Sequence, residues 1–535
     1  MRILLVQPPI EDYYDTSIRT YPLGLLYLAR AIRDVADVSI LDARTTRKPV
    51  RLEKHPFPEL DEFYREDVYT PFSFFSRYSR FGMSANELHS ELESANADMV
   101  CVAALCSAYE QQALEVARIA KEVDPNVITV MGGVHATLFP ARLLSHPDVD
   151  YCVRGEGETP LFNLVSALSK NEGDIKTIGG LCSRLPSGLR ISGVHSETNI
   201  DALPERRLLN ADRYRINKKR YTFFLTSRGC PFRCGFCGKP PVPYRKRTLS
   251  SIEEELDDCQ DIGIEAIDFE DDMLNLDKRT FAGILQLLVG RGLTLSAMNG
   301  IYPGNMDIST LRLMYESGFR RLNFSLVDIA ETVISAHNRN PHSDFLGLLP
   351  FLEESGFLTE VHFIIGLPDQ SPENLVDTLL FLMERRVLLG PSIFYHAPGS
   401  PIYEARFQDT NSIDPGQMRS SVMLPVNPLF GRPITYTFVK LVRFLNEIKR
   451  LADRNGGPSR LSDLLNPRSG WIDDERGQKI IEQLLRKKEF LRWDKKQNQM
   501  GQEPQDQALV RFFFQRAKGM KIKGYRTNAE ILFDM

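Results

Sequence analysis

The sequence predicts an α/β protein in three parts: an N-terminal doubly wound domain, a partial six-strand (β/α) barrel, and a mostly helical C-terminal region. Three observations predict it. Short apolar strands alternate with helical segments over residues 1–165. The alternation resumes over 216–404 after a connector at 166–215, and it is lost over 405–535. A chain of 535 residues is also too long for one ordinary core.

In the first part, Arg2–Gln7 is an apolar strand, and Leu23–Arg33 carries helical periodicity behind Tyr21-Pro22. Val38–Leu41, Met99–Ala104, Val127–Met131 and Tyr151–Val153 are the next strands, with Glu87–Ala95 and Gln111–Lys121 as helices between them. Such alternation implies a parallel sheet covered on both faces, with ligands beyond the carboxyl ends of its strands. Those ends carry Gln7-Pro8-Pro9, Cys106-Ser107, Gly132-Gly133-Val134-His135 and Gly155-Glu156-Gly157-Glu158. Nine Phe or Tyr residues between Phe57 and Phe81 form an insertion, read as a hydrophobic wrap or a lid over a large apolar ligand.

The connector holds a small hairpin about Pro186-Ser187-Gly188. Candidate barrel strands are Tyr221–Thr226, Ala266–Glu270, Leu293–Met298, Arg321–Leu326, Val361–Ile365 and Ser392–Tyr395. Six repeats fall short of the eight that close a full barrel, so an open one is expected. In the last part Phe438–Asp453 and Gly477–Lys488 read as helices. Residues 507–529 carry no acidic side chain and interleave basic residues with Phe512-Phe513-Phe514 and Tyr525. An amphipathic helix with its aromatics turned inward is favoured there over an RNA or membrane surface.

Composition excludes several classes. A net charge of −4 gives no footprint of a nucleic-acid binder, and no apolar run approaches the ~18 residues of a membrane span. The start, Met1 to Pro9, reads as a buried first strand and not as a signal peptide, so a cytoplasmic location is expected. Eight cysteines spread over this length make a poor disulfide framework.

Three of them are clustered in Ser227-Arg228-Gly229-Cys230-Pro231-Phe232-Arg233-Cys234-Gly235-Phe236-Cys237-Gly238, directly after the first barrel strand. That is the end of a parallel barrel where chemistry is placed. Three thiolates within eight residues can converge on a metal centre. Zinc is one alternative, but a structural zinc site ordinarily needs four ligands, and Cys259 is over twenty residues away. A 4Fe–4S cluster held by three cysteines would leave one iron open to a cofactor.

Cys, three residues, Cys, two residues, Cys, with an aromatic before the last, resembles the signature of the radical S-adenosylmethionine (SAM) superfamily. The resemblance implies that Cys230, Cys234 and Cys237 ligate a 4Fe–4S cluster whose open iron binds SAM. The cofactors then supply a 5′-deoxyadenosyl radical. It further implies SAM contacts from Phe236, from Glu270 and Asp271 in Phe269-Glu270-Asp271-Asp272, from Ser325, from Arg339 in Ile334–Arg339, and from Gly366 in Ile364–Pro368. Pro398–Tyr403 resembles the family's terminal turn. An electron donor such as flavodoxin or ferredoxin is implied as partner.

The front part resembles the Rossmann-like cobalamin-binding domain that precedes the barrel in one radical SAM subclass. The residues that carry this are Tyr21–Leu25, Arg77–Met83, Met131–Thr137 and Arg154–Glu158. It implies cobalamin contacts from Pro22, Gly24, Gly132, Gly133, His135, Gly155 and Glu156. The Asp-x-His-x-x-Gly motif whose His ligates cobalt in mutases is absent, so His135 is read as a structural or nucleotide-tail contact. The leading chemistry implied is methylation of an unactivated carbon of a small molecule, peptide or lipid. Radical cyclisation, ring rearrangement or carbon–carbon coupling is the alternative, with the front domain holding cobalamin or another ligand. An RNA-modifying enzyme such as a methylthiotransferase would need a second cluster from three upstream cysteines, and Cys101, Cys106 and Cys152 lack the spacing for one.

Overall fold

The computed structural model describes residues 1–14, 20–44, 48–170, 173–339, 343–407, 414–466, 470–472 and 474–535. The front sheet contains β1 (Arg2–Gln7), β2 (Asp37–Asp42), β3 (Met99–Ala103), β4 (Ile128–Gly132) and β5 (Tyr151–Val153), paired in parallel in the order β2-β1-β3-β4-β5. The order reverses between β1 and β3, which makes that pair the ligand-binding switch point. Alternate side chains serve opposite faces, as a two-residue strand period requires. Ile3 and Leu5 pack under α1 (Leu23–Ile32) and the later helix Glu158–Lys170. Leu4 and Val6 pack on the other face with α2 (Ala85–Ala95) and α3 (Glu110–Val123).

The connector hairpin differs from expectation in one respect. Its strands, β6 (Leu181–Leu185) and β7 (Gly188–Arg190), extend the front sheet antiparallel from the β5 edge. The connector then plugs Arg206 into the second sheet, where it donates to Thr222 Oγ1 and Phe223 O and pairs with buried Glu255.

Among the described residues the barrel has six parallel strands in two ladders. β8 (Lys219–Phe224), β9 (Ala266–Phe269) and β10 (Thr294–Ser296) form one. β11 (Arg321–Val327), β12 (Leu358–Ile365) and β13 (Leu388–Ile393) form the other. The single bridges Leu295–Phe319 and Ile301–Phe324 join them. The last strand starts four residues earlier than Ser392 and runs through Pro391, which is tolerated because β13 is an edge strand with no ladder to donate to on its outer side.

The C-terminal region is helical, with α4 (Arg432–Ala452), α5 (Glu475–Lys487) and α6 (Gln507–Ala517). It also contains the hairpins Leu491–Asp494/Gln499–Gln502 and Lys521–Lys523/Glu530–Leu532. The first pairs onward with Val68–Tyr69 of the aromatic insertion. Phe72 meets Phe444 and Phe490 edge-on at 5.9 and 5.6 Å, and Tyr436 OH donates toward Phe63 O at 3.1 Å. The insertion is therefore a wrap around the C-terminal core. Phe513 and Phe514 are buried in that same core. No described helix is long and apolar enough to cross a membrane.

Candidate functional site

The cysteine loop leaves the carboxyl end of β8 and returns as a short ribbon in which Ser227–Arg228 pairs with Arg245–Lys246. Gly229 has φ +78, and a Cβ there would lie 2.5 Å from Pro243 O. Gly238 packs against the chain after β13, where a Cβ would be 2.2 Å from Pro398 O. Only glycine permits both approaches.

The loop is held from both sides. Gly235 N–H donates to His337 O, and Gly235 O accepts from Ile402 N–H. The turns at Ser335–Arg339 and Pro398–Ile402, far apart in sequence, thus clasp the middle of the cysteine segment. Phe236 meets the His337 ring edge-on at 5.9 Å. Lys239 Nζ donates to Cys230 O, and Asn338 Nδ2 donates to Arg233 O at 3.2 Å.

Arg339 Nη1 stands 3.9 Å from Cys234 Sγ, while its Nη2 donates to Ser325 O at 3.1 Å. The structure so brings together three residues that the sequence singled out separately. Ser325 and Arg339 line a cleft together with Phe232, Tyr302 and Phe345. Glu270 is half-exposed at the end of β9, where its Oε2 accepts from Asn299 Nδ2 at 3.0 Å.

Asp271 differs from expectation. Its carboxylate is fully buried and accepts from Thr226 N–H, Thr226 Oγ1 (2.7 Å) and Ser227 Oγ (2.6 Å). Burial pushes its carboxyl up, and those donors work against the shift. It ties β9 to the root of the cysteine loop and presents no free oxygen to a ligand. Gly366 has φ +89, with its N–H donated to Gln370 Oε1 at 2.7 Å. Gln370 in turn donates to buried Asp328 at 2.5 Å.

The loop 227–246 offers three cysteine thiols and no fourth Cys or His, a donor set that suits a four-iron cluster with one iron left open better than a structural zinc site, which ordinarily takes four protein ligands.

In the front domain the switch point exposes Leu105 and Cys106 beyond β3. Gly133, with φ +114, opens the short helix Val134–Leu138, and a Cβ there would lie 2.8 Å from Ala104 O. Gly132 ends β4, and Gly24 is exposed in the first turn of α1 with open space about its Cα. Pro22, which precedes that helix, is buried.

Three residues expected at cobalamin have close contacts within the protein. His135 is wholly buried: Nδ1 is 2.9 Å from Ser107 Oγ, and Nε2 is 2.9 Å from Glu110 Oε2, outside hydrogen-bond geometry. The ring braces two loops from within, the structural role. Gly155, with φ +88, lies so close to His195 that a Cβ would be 2.0 Å from its carbonyl oxygen. Glu156 turns away from the front sheet and receives Arg245 Nη1 at 2.5 Å and Arg228 Nη1 at 3.3 Å. Burial pushes its carboxyl up, but the Arg245 hydrogen bonds and the Arg228 charge outweigh it and hold the group below the usual range. Arg228, Arg245 and Lys239 went unremarked in the sequence. The ribbon that pairs Arg228 with Arg245 was the missing signal.

The two carboxyl ends face one another. Leu138 reaches to within 3.1 Å of where a Gly399 Cβ would lie. Tyr395, just past β13, has its hydroxyl pushed up by burial and then by the nearby Cys106 and Cys237 thiols, one from each domain.

The family model described as B12 binding domain matches residues 78–165, and that of the Radical SAM superfamily matches residues 224–382. The chain is 28% identical over 392 residues to an uncharacterized methyltransferase of Pyrococcus horikoshii, covering 71% of this chain and 77% of that one. It is 26% identical over 316 residues to the anaerobic magnesium-protoporphyrin IX monomethyl ester cyclase of Rubrivivax gelatinosus, covering 55% and 56%. In fold it is similar to the radical S-adenosylmethionine methyltransferase TsrM from Kitasatospora setae with cobalamin and a [4Fe-4S] cluster bound. There the TM-score is 0.54 at 21% identity, over 75% of this chain and 74% of that one. A B12-binding domain, residues 78–165, thus stands before a radical SAM domain, residues 224–382.

Proposed function

We propose that the protein is a cobalamin-dependent radical SAM methyltransferase that methylates an unactivated carbon of a small molecule, peptide or lipid. The observation that carries this reading is the packing of Leu138 and Phe139, which follow β4, into one cluster with Tyr395 and Tyr403, which follow β13. A methyl donor in the front domain and a radical generator on the barrel would then share one interdomain space.

Cys230, Cys234 and Cys237 would hold the cluster. When bound, the cluster and SAM supply a hydrogen-abstracting radical, and the corrinoid supplies the methyl group. The chain's own part is placement. Arg339 presents its guanidinium beside Cys234, where a carboxylate could be received as a charge-assisted pair. Glu270 offers a half-exposed carboxylate suited to an ammonium group. Asp271 holds the loop root, and Gly366 turns the backbone at the end of β12.

Anaerobic reconstitution with SAM tests the reading. Methylation yields 5′-deoxyadenosine together with S-adenosylhomocysteine. Deoxyadenosine alone would favour cyclisation or coupling, a reading that the likeness to the cyclase supports. Formation of neither product by cluster-loaded protein would overturn both.

A further inference from the structure

The segment Arg154–Glu158 follows β5 at the ligand-facing end of the front sheet, yet its acidic side chains point into the barrel's cysteine ribbon. Glu156 Oε1 accepts from Arg245 Nη2 at 2.9 Å and from Arg228 Nη1 at 3.3 Å, and Oε2 accepts from Arg245 Nη1 at 2.5 Å. Glu156 Oε2 also accepts from Glu197 N–H at 2.6 Å. Glu158 Oε1 takes Arg228 Nη2 at 2.8 Å, and the Arg228 guanidinium lies 4.8 Å over the Tyr27 ring of α1. All four charged side chains are less than one-fifth exposed. Bidentate pairs of this kind fix orientation as well as distance.

The two arginines are cross-strand partners in the ribbon that carries the cysteines, and Arg228 stands two residues before Cys230. On the other side, Gly155 N–H donates to Thr137 Oγ1 at 2.9 Å, and Thr137 Oγ1 donates to Gly133 O at 2.8 Å. Hydrogen bonds, joined through the Gly155–Glu156 peptide, therefore link the glycine pair at the end of β4 to the ribbon that holds Cys230. The left-handed φ of Gly155 and its contact with His195 lock the turn that aims Glu156.

We propose that Glu156, with Arg228 and Arg245, is a positioning clamp: it fixes the cysteine ribbon against the front domain and touches no corrinoid. The inference rests on the proposed cluster-bearing function. Removing the Glu156 charge while keeping its shape would loosen the ribbon and leave the Arg245 guanidinium without its carboxylate in the ribbon that carries the cysteines, while Arg228 keeps Glu158. Electrostatics next to a cluster sets its potential.

The test compares full-length wild type with Glu156→Gln and Glu156→Asp after anaerobic reconstitution with cluster and cobalamin. The expected result for Glu156→Gln has four parts. Iron and sulfide content is retained, and cobalamin affinity stays within twofold of wild type. The cluster midpoint potential becomes more positive, and SAM cleavage falls about tenfold. Glu156→Asp should recover cleavage to within about threefold. Should Glu156→Gln fold poorly, Arg245→Met is measured in its place: SAM cleavage should again fall about tenfold, with the midpoint potential shifted to more negative values because a positive charge is lost. A tenfold or greater loss of cobalamin affinity with an unchanged potential would overturn the clamp and make Glu156 a corrinoid contact. An unchanged potential and cleavage rate would also overturn it. Wild-type protein that takes up no iron and sulfide would overturn the proposed function itself, independently of either variant.

Discussion

Arg339 places one guanidinium nitrogen 3.9 Å from the Cys234 thiol and donates the other to Ser325 O. The side chain is thereby held on the floor of the cleft beside the cysteine loop. A planar fork so anchored is poorly replaced by a point charge. Arg339→Lys should keep its iron and raise the KM for SAM about tenfold, measured by deoxyadenosine release.

The clasp around the loop predicts a contrast between two glycines. Gly238→Ala would force a methyl to 2.2 Å from Pro398 O, a backbone atom that cannot turn aside. It should lower iron incorporation by at least half. Gly366→Ala meets nothing closer than 3.5 Å, so its cost is the φ of +89 alone, about 1–2 kcal/mol. Iron content should then stay at the wild-type level while the unfolding midpoint falls.

Replacing Cys230, Cys234 or Cys237 with Ala should abolish cluster assembly, read as iron and sulfide per chain. Cobalamin binding should persist, because the front sheet and its switch point are built without those residues.

His396 is buried between Phe394 and Phe407. Burial and then the Arg406 charge lower its pKa to about 4. The unfolded chain therefore binds a proton between about pH 6.5 and 4 that the folded chain refuses. Stability is present above that window and is lost as pH falls through it, by about 3 kcal/mol at most. Denaturant titrations at pH 7 and pH 4.5 should show the loss in wild type, reduced in His396→Leu.

Phe72 is wholly buried against Phe444 and Phe490. Phe72→Ala should destabilise the C-terminal region by about 3–5 kcal/mol. A thermal scan should show the earlier transition, with cobalamin affinity unchanged.

Local pattern alone determined the three-part architecture, both parallel sheets and the cysteine loop. Strand alternation, helical periodicity and close cysteine spacing are written in neighbouring residues. What Glu156 and His135 do was decided by tertiary structure. Their partners, Arg245 and Glu110, lie 89 and 25 residues away in sequence. A carboxylate in a glycine-rich turn reads the same whether it faces a ligand or an arginine. Asp271 and the aromatic insertion follow the same logic: their burial depends on Thr226, Ser227 and Phe444 arriving from elsewhere. The cysteine loop pointed to a metal centre because its three thiols sit on one short segment. The clamp that orients it stayed hidden, because it exists only where two separately folded sheets meet.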